Sequence, residues 1–272
     1  MIVPLLLLLH PVGALFETLI IGEGLTAPDC VENVTYTING TFVGPSITVK
    51  VGEFVSIRIV NTLDEPTSIH FHGIHQRGSV FADGASFVTN NPMSPNSTRV
   101  VQFRVSHEDI GTHFYHAHLG LQDLHLYGAF VVEDPNDKLW LRYDDERILI
   151  LSDYWHKSPE TLLNGLLENP FKWIGDADSL LVNGKSKYQD CTIKSSDYYD
   201  ITNVKHGKTY RLRLIGAASL GYFSFSINNH SMTIVEVEGQ LSVFFILFAH
   251  PASQPAHSSA LSSLTEGATD WP

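Results

Sequence analysis

The strongest constraint on this chain is a repeating local pattern. From about Asp29 onward, short runs of β-branched and aromatic residues alternate with turn residues, and no long segment carries a 3.6-residue apolar period. Residues 34–38, 46–49, 54–60, 99–105, 112–116 and 128–132 are such runs, separated by Asn39-Gly40, Asp83-Gly84, Pro92 and Pro95. This spacing predicts an all-β domain, a sandwich or a barrel, over 29–140. Its boundary falls where charge and proline replace apolar alternation, at Glu133-Asp134-Pro135-Asn136-Asp137-Lys138 and Tyr143-Asp144-Asp145-Glu146. Strands are expected to resume at 147–151, 179–182, 209–215, 223–227 and 232–237, so 141–240 reads as a second, partial β-domain, with a short helix somewhere in 158–173. Residues 241–272 pass through an apolar patch into Ala, Ser, Pro and Thr and are expected to form a divergent, disordered tail.

The 272-residue length suits two domains. With 17 Lys and Arg against 29 Asp and Glu, the net charge of −12 excludes the electrostatic footprint of a nucleic-acid or anionic-membrane partner. The apolar run at 243–249 is far short of a bilayer span, so no transmembrane helix is expected. Residues 1–28 are read as a leader on the strength of the apolar stretch 2–9, although no Lys or Arg precedes Lys50. Sequons at Asn33, Asn39, Asn96 and Asn229 are glycosylation candidates in the secreted, extracellular protein that such a leader implies. Two cysteines, Cys30 and Cys191, allow one disulfide but neither a disulfide scaffold nor a Cys-rich zinc module. Whether they pair is open.

The chemistry is concentrated in the first domain. Eight of the fourteen histidines lie between His70 and His125, and they include two His-x-His pairs, His70/His72 and His116/His118. On an extended strand, residues i and i+2 project from one face, so each pair can aim two imidazoles at one point. That is metal-ligand geometry, and imidazole suits copper, zinc, iron and nickel alike. A zinc hydrolase built on His70, His72 and His75 is the rival reading, but Ile74 stands where the aspartate of a His-x-His-x-Asp-His motif belongs. His75 and His113 also have the opposite strand parity to their neighbouring pairs, and both are left out of the ligand set.

His70-Phe71-His72-Gly73-Ile74-His75-Gln76 resembles the first copper motif of the multicopper oxidases, with Phe71 in place of tryptophan. Residues 111–122, containing His116-Ala117-His118-Leu119-Gly120-Leu121-Gln122, resemble the second in its animal-laccase form. Flanking segments agree: 37–47, the Asp83-Gly84 turn, 128–135, and in the second domain 152–156, 181–185, 210–215 and 230–234. The resemblance covers roughly 29–240. It implies tandem cupredoxin-like (plastocyanin-like) Greek-key β-sandwich domains and copper as cofactor. It further implies laccase-like chemistry, in which phenolic or similar small-molecule reductants are oxidised while dioxygen is reduced to water. By the same match His70 would bind type 2 copper, His72 and His116 one type 3 copper, and His118 the other. Asp83 would be a proton-relaying acid beside the cluster, or else an ordinary Asp-Gly turn. Gln76, Gln122, Trp155, Trp173, Arg211 and Arg213 are read as structural.

The resemblance is partial. A complete trinuclear cluster in this family takes eight imidazoles, and four stand at matching positions here. No His-Cys-His or His-Pro-x-His-Leu-His stretch occurs in the 272 residues, and Cys30 and Cys191 are in neither context. The expectation is therefore a truncated chain with half the cluster ligands and no type 1 copper, the missing ligands coming from absent domains or another chain. The alternative is a non-catalytic, secreted copper-binding module or splice fragment.

Overall fold

Strands whose side chains alternate in and out can close a core only by pairing face to face, and this is what the first domain does. In a computed structural model of the chain, the described residues are 13–136, 139, 141–189, 204–227 and 230–248. The first domain comprises β1 (Ala14–Thr26), β2 (Asn33–Ile38), β3 (Ile47–Lys50), β4 (Phe54–Asn61), β5 (Ile69–His72), β6 (Ser97–Arg104), β7 (Gly111–Ala117) and β8 (Tyr127–Glu133). They form two four-stranded sheets, ordered β2-β1-β4-β6 and β3-β8-β7-β5. β1 runs parallel to β4 and β3 parallel to β8, while the remaining neighbours are antiparallel.

Alternate residues meet between the sheets. Leu19, Ile21, Ile57, Ile59 and Phe103 from one sheet, and Val49, Phe71, Tyr115 and Phe130 from the other, are each at most 2% exposed and belong to one core. Burying each large apolar side chain contributes about 1.5–3 kcal/mol.

The second domain has β9 (Asp145–Tyr154), α1 (Pro159–Leu167), β10 (Ser179–Val182) and β11 (Tyr210–Gly216), with the sheet order β10-β9-β11, and a hairpin of β12 (Ser231–Val237) and β13 (Gln240–Phe248). Helix α1 starts where the sequence supplies both a cap and a stiff first residue: Ser158 Oγ accepts from Thr161 N at 3.2 Å, and Pro159 follows it. Leu162 of this helix packs with Trp155 and with Leu121 and Leu124 of the first domain.

β8 joins the two domains because both of its faces are buried. Phe130 and Val132 point into the first core, whereas Tyr127 and Ala129 pack with Phe42, Ile150, Tyr154, Leu181 and Ile215. Polar contacts reinforce this seam. Asp29, fully buried, accepts from Ser179 Oγ at 2.6 Å and from His156 Nε2 at 2.9 Å. Arg213 reaches Glu146 at 3.0 Å and Thr112 Oγ1 at 2.9 Å.

Three expectations are corrected. The first domain begins by Ala14, not Asp29, because Ala14–Thr26 is a sheet strand whose Leu19 and Ile21 sit in the core; of the expected leader 1–28, residues 1–12 lie outside the described residues. Residues 240–248 continue the ladder as β13 rather than leaving it, so the expected tail 241–272 is strand as far as Phe248, and 249–272 lie outside the described residues. Residues 223–227 form no strand.

Candidate metal centre

β5 and β7 pair in a register that sets His70 directly opposite His116 and His72 opposite Phe114. Because His72 lies two residues along β5 from His70, all three imidazoles project from the same face of the sheet. Their ligand atoms lie within 4.8 Å of one another. His72 Nδ1 and His116 Nε2 are only 3.4 Å apart. His118, just beyond the end of β7, flanks the group with its ring 5.4 Å from that of His70 and 5.9 Å from that of His116.

The rings are oriented by their other nitrogens. His70 Nδ1 donates to the Asp83 carbonyl at 2.8 Å, and His116 Nδ1 donates to the Ala117 carbonyl at 2.7 Å. Since a carbonyl only accepts, each bond fixes the tautomer and leaves Nε2 with a free lone pair. Phe114 stacks against both His72 and His116, its centroid 4.9 Å from each. Asp83 is brought to His70 by its turn: Gly84 has φ +86°, and a Cβ there would stand 1.8 Å from the Ile69 carbonyl oxygen. The Asp83 carboxylate lies 3.4 Å from His70 Nδ1 and accepts from Thr89 Oγ1 at 2.9 Å.

The electrostatics favour neutral imidazole. Burial lowers the pKa of His116 to about 4. His72 is also lowered, by burial first and then by the neighbouring His70. Neutral rings with aligned lone pairs are the form that binds a metal ion.

The histidines open into a cavity of 440 Å³ whose walls come from both domains, with Asp123, Tyr127, Leu214, Ala217 and Glu238 among the lining residues. Sequence reasoning missed Asp123 and Glu238. Asp123 sits in a single helical turn, its pKa raised by burial and its Oδ1 without a hydrogen-bond partner. A lone acid in such a turn has no signature in the sequence. The other residues singled out do not join the converging ligand atoms, although His113 lines the cavity. His75 is not among the histidines whose ligand atoms converge, so the zinc-hydrolase trio does not assemble; its Nδ1 pairs with Asp109 Oδ1 at 2.8 Å. His113 donates from Nε2 to the Asp109 carbonyl at 2.8 Å. Gln122 bridges Thr67 Oγ1 and the Pro66 carbonyl, and Gln76 accepts from Ser79 Oγ. Trp155 is core, Trp173 is 59% exposed, and Arg211 and Arg213 hold buried ion pairs to Glu236 and Glu146.

Of the sequons, Asn33 and Asn39 spend their side-chain amides on the His156 and Thr18 carbonyls, at 2.6 and 3.0 Å. Asn96 is exposed, 3.5 Å from Asp64 Oδ1, and Asn229 lies outside the described residues. Cys30 is disulfide-bonded, and Cys191 lies outside the described residues.

A paired-sheet β-domain followed by a second one, with three histidines converging and His118 beside them, defines a β-sandwich protein with a candidate metal centre, and comparison with known proteins supplies the family. Multicopper oxidase profiles match residues 21–137 and 145–245. L-ascorbate oxidase from Cucumis sativus is 38% identical over 231 residues, covering 78% of this chain and 39% of that protein. Laccase-1 from Agaricus bisporus is 37% identical over 222 residues, covering 78% of this chain and 42% of that protein. Among solved structures, Fet3p, a multicopper oxidase that functions in iron import, superposes with a TM-score of 0.73 at 29% identity, over 86% of this chain and 42% of that one. The laccase from Botrytis aclada gives 0.71 at 30% identity, over 83% and 42%. The chain thus spans about two-fifths of the length of these relatives. It belongs to the multicopper oxidase family, its fold is that of tandem cupredoxin-like domains, and copper is the metal of that family.

Proposed function

We propose that this chain supplies the first half of a copper cluster in a laccase-like multicopper oxidase, which oxidises phenolic or similar small-molecule reductants and reduces dioxygen to water. The observation that carries this reading is the convergence of His70, His72 and His116, with His118 beside them, in a cavity between the two domains. The donor set fits copper: imidazoles, two with their second nitrogen tied to a carbonyl, and a 3.4 Å separation between His72 Nδ1 and His116 Nε2 that would suit two ligands of one ion. His72 and His116 are assigned to one type 3 copper, His118 to the other and His70 to type 2 copper. Copper held there supplies one-electron redox chemistry. Asp83 holds His70 through its carbonyl and presents a carboxylate beside it, from which a proton could be passed into the cavity.

Four imidazoles are half of the eight, and the 272 residues contain no His-Cys-His, so electron entry and the remaining ligands would come from other domains or another chain. An extracellular setting accords with the disulfide at Cys30. The test is metal analysis of the purified chain after dialysis against copper. Retained copper that is lost in the His70→Ala, His116→Ala double variant is expected; equal copper in both proteins would sink the assignment. Oxygen uptake with a phenol is expected to be negligible for the 272-residue chain, and sustained turnover would overturn the half-cluster reading.

A further inference from the structure

The second domain places one carboxylate, Glu238, in the wall of the histidine cavity, carried on the tip of the β12–β13 hairpin. The tip is held from several directions. Glu236 Oε1 accepts from Thr112 N at 2.9 Å, tying the hairpin to the start of β7, and Glu236 Oε2 accepts from the buried Arg211. Gly239, at φ +74°, packs so closely against the first domain that a Cβ there would stand 2.7 Å from the Ile110 carbonyl oxygen and 3.3 Å from the His113 ring. Glu238 itself turns the hairpin at φ +50°. A non-glycine residue in that conformation is strained, so the chain accepts a cost to put a glutamate at this point.

We propose that Glu238 is the anionic wall of the metal site, offsetting the charge of cupric copper held by the imidazoles of His70, His72 and His116. Imidazole ligands carry no charge when they coordinate, so a cupric ion keeps its full charge in a partly desolvated cavity, and a nearby carboxylate lowers that cost. Glu238 lines the same cavity as His72 and His113, so its carboxylate faces the space the metal would occupy. Asp123, the other carboxylate of the cavity wall, belongs to the first domain, in the helical turn Gln122–Leu124. The inference rests on the reading that this cavity takes copper, and it adds a second-domain residue to a site whose histidines all come from the first.

The experiment is a competition titration of Cu(II) into the 272-residue chain, in wild type, Glu238→Gln, Glu238→Asp and Glu168→Gln. Glu168 is exposed at the end of α1 and controls for the loss of one unit of overall charge. Circular dichroism and the cupric EPR spectrum are recorded on each. Glu238→Gln is expected to weaken copper about three- to tenfold at low salt, with the gap narrowing at 1 M salt as screening grows. Glu238→Asp should recover part of the loss, Glu168→Gln should match wild type, and only the Glu238 variants should shift the EPR parameters. Equal affinity and spectrum in Glu238→Gln and wild type, with the fold intact, would overturn the proposal while leaving the copper site standing. An equal loss in Glu168→Gln would overturn it too. Wild type that retains no copper would bring down the site assignment and this inference together.

Discussion

The two domains are built from the same kind of strand but are held in different ways. The first closes on itself, with two four-stranded sheets facing one another across a core of nearly inaccessible side chains. The described part of the second is a three-stranded sheet and a hairpin, and its apolar cluster is completed by Phe42, Tyr127 and Ala129 of the first domain. One is a core in its own right; the other leans on the back of β8. Cooperativity should therefore run one way, with damage to the first domain carrying over to the second and damage to the second staying local.

The largest effect is expected from Phe130→Ala. Phe130 is fully buried against Phe71 and Phe103 on the β8 strand that both domains share. Loss of about 3–5 kcal/mol is expected, with a single thermal transition in which near-ultraviolet signals from both domains disappear together. Two separated transitions would show that the second domain does not depend on the first.

Ile215→Ala tests the converse. This residue is 4% exposed, on β11, within the second domain's cluster. About 2–4 kcal/mol is expected to be lost there. Hydrogen exchange should rise in β9, β10 and β11 while β4 and β7 keep their protection. Uniform loss of protection across both domains would contradict the asymmetry.

The smallest and most specific effect comes from pH at the seam. His125 is buried beside Tyr36, Phe42 and Tyr154, and its Nδ1 accepts from Tyr36 N at 3.3 Å. Burial lowers its pKa from 6.5 to about 3. A histidine whose folded pKa lies below its unfolded value takes up a proton more readily when unfolded. Its stability contribution is therefore complete above pH 6.5 and is lost progressively as pH falls from there toward 3. Urea midpoints at pH 7.5, 5.5 and 4.5 should fall in that order. Replacing His125 with Gln, which keeps an acceptor for Tyr36 N, should flatten the slope; an unchanged slope would place the pH sensitivity elsewhere, with His116 the next candidate.

Legibility from the sequence followed the range of the interaction. The strands at 34–38 and 54–60 were readable because a period of two is written into consecutive residues, and 128–132 because it is a short apolar run of strand length. β1 was not. It was absorbed into the expected leader 1–28, which rested on the apolar stretch 2–9, and its exposed Ile20 and Leu25 put apolar residues at positions that break the strand alternation. β13 was hidden for a similar reason, since the apolar residues at 243–248 carry no alternation.

The site divides in the same way. Each His-x-His pair is local, and the strand period alone placed its two rings on one side. That the pairs face each other was decided by the β5–β7 register, which is set by long-range pairing across more than forty residues of chain, between His70 and His116. His75 and His113, left out of the ligand set on parity, both hydrogen-bond Asp109, and His113 also lines the cavity. Asp123 and Glu238 were beyond sequence reasoning, because a carboxylate belongs to a cavity only when the fold brings the opposite wall to it. By itself, then, the sequence determined the all-β class, the histidine pairs and the family, all of which are carried by residues near one another in the chain. Only the tertiary structure decided which imidazoles converge, which acids join them and that β8 is shared by two cores, because contacts between distant segments depend on register and packing that no local pattern records.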